Sequence, residues 1–391
     1  MAKPKLRFPE FTDEWKEYRI REVFDRVVNP VTVAKNKYYK QIGIRSHGKG
    51  LFYKEEVTGE ELGNKRVFWV EPDCFVVNIV FAWERAVAKL TEAERGMIAS
   101  HRFPMYKPKD QVLDLDYITE YFTTFYGQKI LILASPGGAG RNKTLGQDEF
   151  SKSRIKLPSY IEQKKIAKFL FSVDDLIKAQ EEEVSVLEEQ KKGIMQKLFN
   201  REVRFKADDG SEYPEWEEMQ LGNIAVIKMG QSPDSSSYND KCIGLPLIQG
   251  NADMSGRVSA PQRYTSEPTK ECDMGDIIMT VRAPVGFVGK SIHHACIGRG
   301  VCAISSKINT EFLFQFLVSV EDSWKHIEQG STFTAIGGDE VKKLRVLIPC
   351  VKEQQKVADC LSAYDEAIQI KKDKLEVWKK IKKGLLQQMF V

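Results

Sequence analysis

Two long stretches of the chain place hydrophobic residues at alternating intervals of four and three positions. They run from Pro158 to Phe199 and from Pro349 to Phe390, and they align without a gap. This spacing puts the apolar side chains on one face of an α-helix and is typical of a coiled coil. The pattern predicts two long helices, whose paired seam is expected to contain Ile166, Leu170, Val173, Ile177, Val184, Leu187, Val357, Leu361, Tyr364, Ile368, Leu375 and Trp378.

The residues flanking the two seams differ in charge. The middle of the first helix is rich in glutamate, as in 181–183 and 188–189, whereas the second carries lysines at 372, 374, 379 and 380. Opposite charges beside a seam favour pairing with each other over self-pairing. We therefore expect the two helices of one chain to pair, although charge alone leaves their orientation open. The alternative is that each helix packs separately on its own domain.

The repeat extends beyond the helices and encloses two unlike inserts. Arg-Phe and Glu-Trp pairs recur near residues 7–15 and 204–216, ahead of inserts at about 16–157 and 217–348. Each insert shows short β-rich runs, then a helical pattern, then a glycine-rich loop, at 136–143 and 330–338 respectively. Two mixed α/β domains of similar build and different surface are the simplest interpretation.

Composition and motif searches narrow the function classes. The 391 residues carry a net charge of +4, and the seven cysteines are odd in number and scattered, which favours reduced thiols. Without an apolar leader or a run of about 20 apolar residues, we expect a cytoplasmic protein with no membrane partner. No phosphate-binding loop, zinc-protease or hydrolase motif occurs. The run from His293 to Cys296 lacks a second ligand pair, so we expect no metal site and no catalytic residue.

The inserts instead offer hydrogen-bond donors set among small and aromatic residues. Arginine can read guanine and asparagine or glutamine can read adenine, while lysine and serine hold phosphates. Any one of these side chains, taken alone, fits a solvated surface charge as well. The candidate DNA contacts are Arg45, Ser46, His47, Lys49, Arg85, His101, Arg102, Arg141, Asn142 and Lys143 in the first insert, and Lys228, Gln231, Ser232, Gln249, Asn251, Arg257, Arg282, Arg299, Ser331, Thr332 and Thr334 in the second.

The duplicated frame resembles the specificity subunit of type I restriction-modification systems. The resemblance is carried by the two Pro-x-x-x-Glu-Gln helix starts (158–163 and 349–354), the Arg-Phe and Glu-Trp segments, and the Gly-Ser-Thr run at 330–332. It implies an α+β fold with an internal pseudo-two-fold repeat, in which two target-recognition domains (1–157 and 201–348) are separated by a pair of long antiparallel coiled-coil helices (158–200 and 349–391).

The resemblance also implies the function and the partners. Each domain would read one half of a bipartite, asymmetric sequence in double-stranded DNA, and the helices would act as spacer and docking surface. The implied partners are two methyltransferase (M) subunits and the restriction and motor (R) subunits. S-adenosylmethionine, ATP and magnesium would be used by those partners, leaving no cofactor and no catalysis to this subunit.

Two other functions remain open on the residues alone. One is a coiled-coil adapter whose inserts bind proteins, and the other is a single-chain restriction-modification enzyme. A steep salt dependence of DNA binding would argue against the adapter, because it reports phosphate neutralisation. Loss of all activity without added partners would argue against the enzyme.

Overall fold

The computed structural model describes residues 4–137, 143–324 and 335–391. The first half contains β1 (Lys16–Arg19), α1 (Ile20–Val23), β2 (Phe24–Val27), β3 (Tyr38–Tyr39), β4 (Ile42–Ile44), β5 (Leu51–Tyr53), β6 (Val57–Thr58), α2 (Gly59–Leu62), β7 (Val67–Trp69), β8 (Cys74–Val77), β9 (Val87–Leu90), β10 (Ile98–Ser100), β11 (Met105–Pro108), α3 (Leu115–Thr123), α4 (Phe125–Leu133), α5 (Gln147–Lys152), β12 (Arg154–Leu157) and α6 (Tyr160–Phe199).

The second half follows a similar order. It contains β13 (Glu217–Gln220), α7 (Leu221–Ile224), β14 (Ala225–Met229), β15 (Tyr238–Asn239), β16 (Leu245–Ile248), β17 (Met254–Ser255), β18 (Val258–Ser259), β19 (Arg263–Thr265), β20 (Glu271–Cys272), β21 (Ile277–Thr280), β22 (Val288–Lys290), β23 (Ala295–Ile297), β24 (Val301–Ser306), α8 (Thr310–Ser319), α9 (Gly338–Lys343), β25 (Arg345–Ile348) and α10 (Val351–Gln388).

The chain divides into two compact units, residues 1–180 with 374–391, and residues 181–373. Each unit joins one insert to parts of both long helices. The two predicted helices themselves are present as α6 and α10. Within the described ranges, none of the helices is apolar and long enough to cross a bilayer.

A four-stranded antiparallel sheet lies at the centre of the first unit, in the order β2-β11-β8-β9. Its core continues through α3 into the start of α6 and the end of the chain, where the Tyr117 and Phe390 rings lie 5.2 Å apart. The second unit has the equivalent order β14-β24-β21-β22, extended by β18 and β17, and a further sheet β15-β19-β16-β23-β20. The shared four strands are the common scaffold of the two inserts.

The Glu-Gln pair at each long-helix start anchors the helix to its own unit. Buried Glu162 accepts two hydrogen bonds from Arg7, at 2.7 and 2.8 Å, and buried Gln163 accepts one from the backbone N–H of Asp114. The second unit repeats the arrangement, with Arg204 on Glu353 and the Asn309 N–H on Gln354. The recurring Arg-Phe segment therefore serves as a structural partner of the helix.

The long helices run antiparallel within each unit, as the resemblance implied. In the second unit Lys371 pairs with Glu183 and Lys191 with Asp365, so partners move in opposite directions along the two helices. In the first unit Lys382 pairs with Asp174. All the predicted seam residues are buried or half-buried. Those nearest the helix starts, such as Leu170 and Leu361, also pack into the core of their own insert.

Candidate DNA interface

A polar cleft of about 760 Å³ opens on the second unit where several strands end. Ser232 follows β14, Gln249 and Asn251 follow β16, Arg282 follows β21, and Arg299 follows β23. Strands β16 and β23 are parallel, so their carboxyl ends meet at the same edge. Five residues predicted from the sequence therefore line one cleft, although they are up to 67 positions apart.

Glycines bring the walls of this cleft close together. A Cβ on Gly300 would lie 2.1 Å from the Gln249 carbonyl oxygen, and a Cβ on Gly230 would lie 2.1 Å from that of Gly298. Neither distance is compatible with a side chain, so only glycine lets these backbones approach. The Arg299 N–H donates to the Ser232 hydroxyl at 3.2 Å, which ties two walls of the cleft together.

Among the predicted contacts in the cleft, Gln249 is held at both its backbone and its side chain. Its backbone N–H donates to Asp253 at 2.7 Å, and its side-chain Nε2 donates to the Tyr238 hydroxyl at 2.9 Å. Arg282 and Arg299 are exposed, and no ion pair holds either guanidinium among the residues that the structure describes. The cleft thus combines a fixed amide with two arginines that are available to a ligand.

Other candidates in the second unit lie outside the cleft. The Arg257 guanidinium forms a bidentate ion pair with Glu321 and donates to the Val288 carbonyl at 2.8 Å, which engages it inside the unit. Lys228 donates to the Glu271 carbonyl at 2.6 Å. Gln231 is exposed next to the cleft. The predicted contacts Ser331, Thr332 and Thr334 lie outside the described residues.

Loops in the first unit gather another set of candidates. The Ser46 hydroxyl donates to the Glu84 carboxylate at 2.7 Å, and the His47 N–H donates to the Glu84 carbonyl at the same distance. The Arg85 guanidinium donates to the Thr123 carbonyl at 3.0 Å. Three separate sequence segments therefore meet, and the His47 side chain remains exposed.

The remaining candidates of the first unit are less closely grouped. Lys143 lies 5.9 Å from the centre of the Trp83 ring, beside this loop cluster. Arg45 stacks on Phe52 and donates to the Leu51 carbonyl. The other described candidates, all exposed, are Lys49, His101 and Arg102. The predicted contacts Arg141 and Asn142 lie outside the described residues.

Matching backbone bonds relate the loops of the two units. In each unit, one residue shortly after the third strand of the scaffold (Ile79 after β8, Val281 after β21) donates to one loop and accepts from another. The bonds are Ile79 N to Arg102 O and Leu145 N to Ile79 O in the first unit, and Val281 N to Gly300 O and Ile336 N to Val281 O in the second. By this correspondence His101 occupies the position of Arg299.

Comparison with known proteins identifies the family. The family model described as "Type I restriction modification DNA specificity domain" matches residues 12–189 and 213–379. The chain belongs to this family. It is 30% identical to the putative type I restriction enzyme MjaX specificity subunit of Methanocaldococcus jannaschii, over 98% of this chain and 94% of that one. It is 26% identical to the MjaVIII specificity subunit of the same organism, over 83% and 80%.

Solved structures share the fold of this specificity subunit. A chain from a study of complex assembly and conformational transition of the type I R-M system aligns with a TM-score of 0.64 at 22% identity, covering 97% of this chain and 98% of that one. The S subunit of M. genitalium aligns at 0.61 and 15%, covering 100% and 99%. The HsdS subunit of Thermoanaerobacter tengcongensis aligns at 0.51 and 20%, covering 97% of each chain.

Sequence reasoning missed several cleft residues of the specificity subunit. Tyr238 and Asp234 line the cleft with the predicted donors. An aromatic hydroxyl beside a Gly-x-Ser-Pro turn (230–233) was the available signal, but the tyrosine reads equally well as an ordinary strand residue. Its role depends on Gln249, eleven positions away, which only the fold brings into contact.

The histidine pair of the specificity subunit is engaged by neighbouring polar side chains, and Cys302 is buried. His293 hydrogen-bonds Ser259 at 2.8 Å, and His294 lies between Glu271 and Asp273. The described part of the chain contains no group of three or more suitable side chains that could hold a metal ion. Burial raises the pKa of the Cys302 thiol to about 12, which disfavours the reactive thiolate.

Proposed function

We propose that the cleft of the second unit reads one half of a bipartite DNA sequence. The observation that carries this proposal is the convergence of Ser232, Gln249, Asn251, Arg282 and Arg299 at one strand edge. These side chains offer the donors and acceptors with which proteins read base edges, and the exposed arginines suit guanine or phosphate. As in other members of the family, the subunit would recognise the DNA sequence, and its partner subunits would carry out catalysis.

The first unit would read the other half of the sequence with a different surface. Its loop cluster around Ser46, His47, Glu84 and Arg85 includes the segment after β8, the strand that is equivalent to the β21 strand before Arg282. The position of Arg299 is taken by His101 and that of Arg282 by Val80. Such different side chains at equivalent positions support an asymmetric target.

The paired long helices would set the spacing of the two half-sites and dock the other subunits. The proposed partners are double-stranded DNA, two methyltransferase subunits and the restriction and motor subunits. S-adenosylmethionine, ATP and magnesium would bind to those partners, so this chain would need no cofactor of its own. The polar pairs along the helices support a fixed register, which a spacer requires.

The test uses the chain assembled with its methyltransferase subunits and duplex DNA of the methylated sequence. Arg282→Ala or Arg299→Ala is expected to cost about 1–3 kcal/mol of binding and to relax specificity at one position if the arginine reads a base. A phosphate contact would instead weaken all sequences evenly and reduce the salt slope by about one. Arg345→Ala is the control, because that arginine pairs with Glu218 outside the cleft. Unchanged binding in both cleft variants would refute the proposal.

A further inference from the structure

The orientation of the Gln249 side-chain amide is fixed by a relay of hydrogen bonds. The Tyr238 hydroxyl lies 3.2 Å from the Pro233 carbonyl oxygen and 2.9 Å from Gln249 Nε2. A carbonyl oxygen can only accept, so the single tyrosine proton is directed to Pro233. The tyrosine oxygen must then accept from Gln249, which requires the NH₂ group rather than the carbonyl on that side.

The backbone of Gln249 is fixed by two further contacts. Asp253 accepts from its N–H at 2.7 Å, and Gly300 packs against its carbonyl oxygen. The side-chain oxygen Oε1 has no hydrogen-bond partner among the described residues, and Gln249 lines the cleft. The residue therefore presents an acceptor to a ligand, with little freedom to turn its donor there instead.

The direction of this amide has a consequence for base choice. On the major-groove edge, adenine and cytosine carry an exocyclic amine that donates, whereas guanine and thymine offer oxygen acceptors. We propose that Tyr238 is a positioning residue that holds Gln249 with its oxygen toward the DNA, so that the second unit selects adenine or cytosine at the base that Gln249 meets. The inference rests on the proposed function of this cleft.

The experiment measures which bases are selected at each position of the second half-site. The full chain, assembled with its methyltransferase subunits, selects from a duplex library in which that half-site is randomised. The wild type is expected to enrich adenine or cytosine at one position. Tyr238→Phe removes the acceptor that orients the amide and is expected to reduce discrimination at that position about tenfold, leaving the other positions unchanged.

Two substitutions at Gln249 test the acceptor directly and do not depend on the folding of the tyrosine variant. Gln249→Glu keeps an acceptor and is expected to retain the adenine or cytosine preference. Gln249→Lys offers only donors and is expected to move the preference to guanine. Either an unchanged preference in Gln249→Lys or an even loss across all positions in Tyr238→Phe would overturn the inference.

A domain exchange separates failure of this inference from failure of the proposed function. Replacing residues 217–348 with the corresponding insert of another specificity subunit should change the selected half-site. If the half-site does not follow the exchanged insert, the proposed function itself is wrong. If the half-site does follow the exchanged insert, but the Tyr238 and Gln249 variants change the base preference at no individual position, only the assigned orientation of the Gln249 amide is wrong.

Discussion

At the scale of single residues, a buried glutamate at the start of each long helix joins that helix to the recurring Arg-Phe segment. Glu162 is 1% exposed and Glu353 is fully buried, and each faces an arginine of the recurring Arg-Phe segment. The two sites differ in their other contacts. Arg204 also donates to the Tyr213 and Pro214 carbonyls and pairs with the exposed Glu215. Glu353 also accepts from the Trp216 indole at 3.0 Å, whereas Trp15 Nε1 is buried without a partner among the described residues.

Removing the arginine partners should therefore have unequal effects. Arg7→Met leaves the Glu162 carboxylate buried and unpaired and is expected to cost about 3–5 kcal/mol of unfolding free energy. Arg204→Met should cost less, because Trp216 still donates to the buried Glu353, whereas the Glu215 and Pro214 partners that are also lost are exposed to water. Denaturant unfolding measures both. Arg154→Met is the control, since its exposed pair with Glu17 should contribute no more than about 1 kcal/mol. Equal losses at all three arginines would contradict this account.

A second residue-scale contrast concerns the helix that packs on the long helices. Six positions after the helix-capping residues Asp114 and Asn309 lie Glu120 and Gln315, respectively. Gln315 is buried and donates to Asp365 at 2.8 Å. Burial raises the pKa of the Glu120 carboxyl; Lys382 opposes this shift and Asp174 adds to it.

Glu120→Gln should change how stability depends on pH. A carboxyl whose pKa is raised in the folded state stabilises below its ordinary value of about 4.5 and loses that contribution as the pH rises through the raised value. The variant has no carboxyl at this position and does not lose this contribution. Its free energy of unfolding, relative to that of the wild type, should therefore increase from about pH 4.5 toward neutrality. Thermal unfolding across that range measures it. Gln315→Glu should show the opposite trend in its own unit, and parallel pH profiles would contradict the assignment.

At the scale of elements, two symmetry-related ion pairs interrupt the apolar seam of the long helices. Lys191 pairs with Asp365 and Lys382 with Asp174, and each pair is the repeat of the other. The Lys191 side chain is 13% exposed and that of Asp365 is 43% exposed, so water screens this pair less than a pair whose two side chains are both on the surface. Since the partners lie at one register only, the pairs favour a single alignment of the helices.

A double-mutant cycle on Lys191 and Asp365 should detect this coupling. Alanine at both positions is expected to reveal an interaction of about 1 kcal/mol in unfolding experiments. The pair of Lys372 with Glu188, whose side chains are about half exposed, is the matched control and should couple by only a few tenths of a kcal/mol. Equal coupling free energies in the two cycles would show that burial in the seam does not strengthen the ion pair.

A feature of these elements could be predicted from the sequence when it depends on neighbouring residues, and could not be when it depends on residues far apart in the chain. The long helices were predictable because a periodic pattern of about 40 residues occurs twice. The cleft residues were predictable by type, since polar side chains follow apolar strands. The engagement of Arg257 was not predictable, because its partner Glu321 lies 64 positions away. The role of Tyr238 could not be predicted for the same reason, because it depends on a hydrogen bond from Gln249 that only the fold creates.

At the scale of the whole molecule, the two positions that face each other midway along the helix pair are also equivalent positions of the internal repeat. Residue 182 corresponds to 373 in the repeat, and the pairs of Glu183 with Lys371 and Lys191 with Asp365 place the same two positions opposite each other. A heptad inserted in both helices at this point would therefore keep these ion pairs, the pair of Lys382 with Asp174 and the apolar seam in register. The insertion lengthens the helical pair and leaves both inserts unaltered.

Such a double insertion should change the DNA spacer while leaving both half-sites unchanged. Seven residues add about 10 Å of helix, which corresponds to roughly three base pairs at 3.4 Å each. Mapping methylated sites in cells that carry the intact system measures the spacer. An insertion in one helix alone is the control, because it breaks the seam and should abolish specific methylation. An unchanged spacer in the double insertion would show that the helices do not set the distance, since their added length would then have no effect on the DNA that is read.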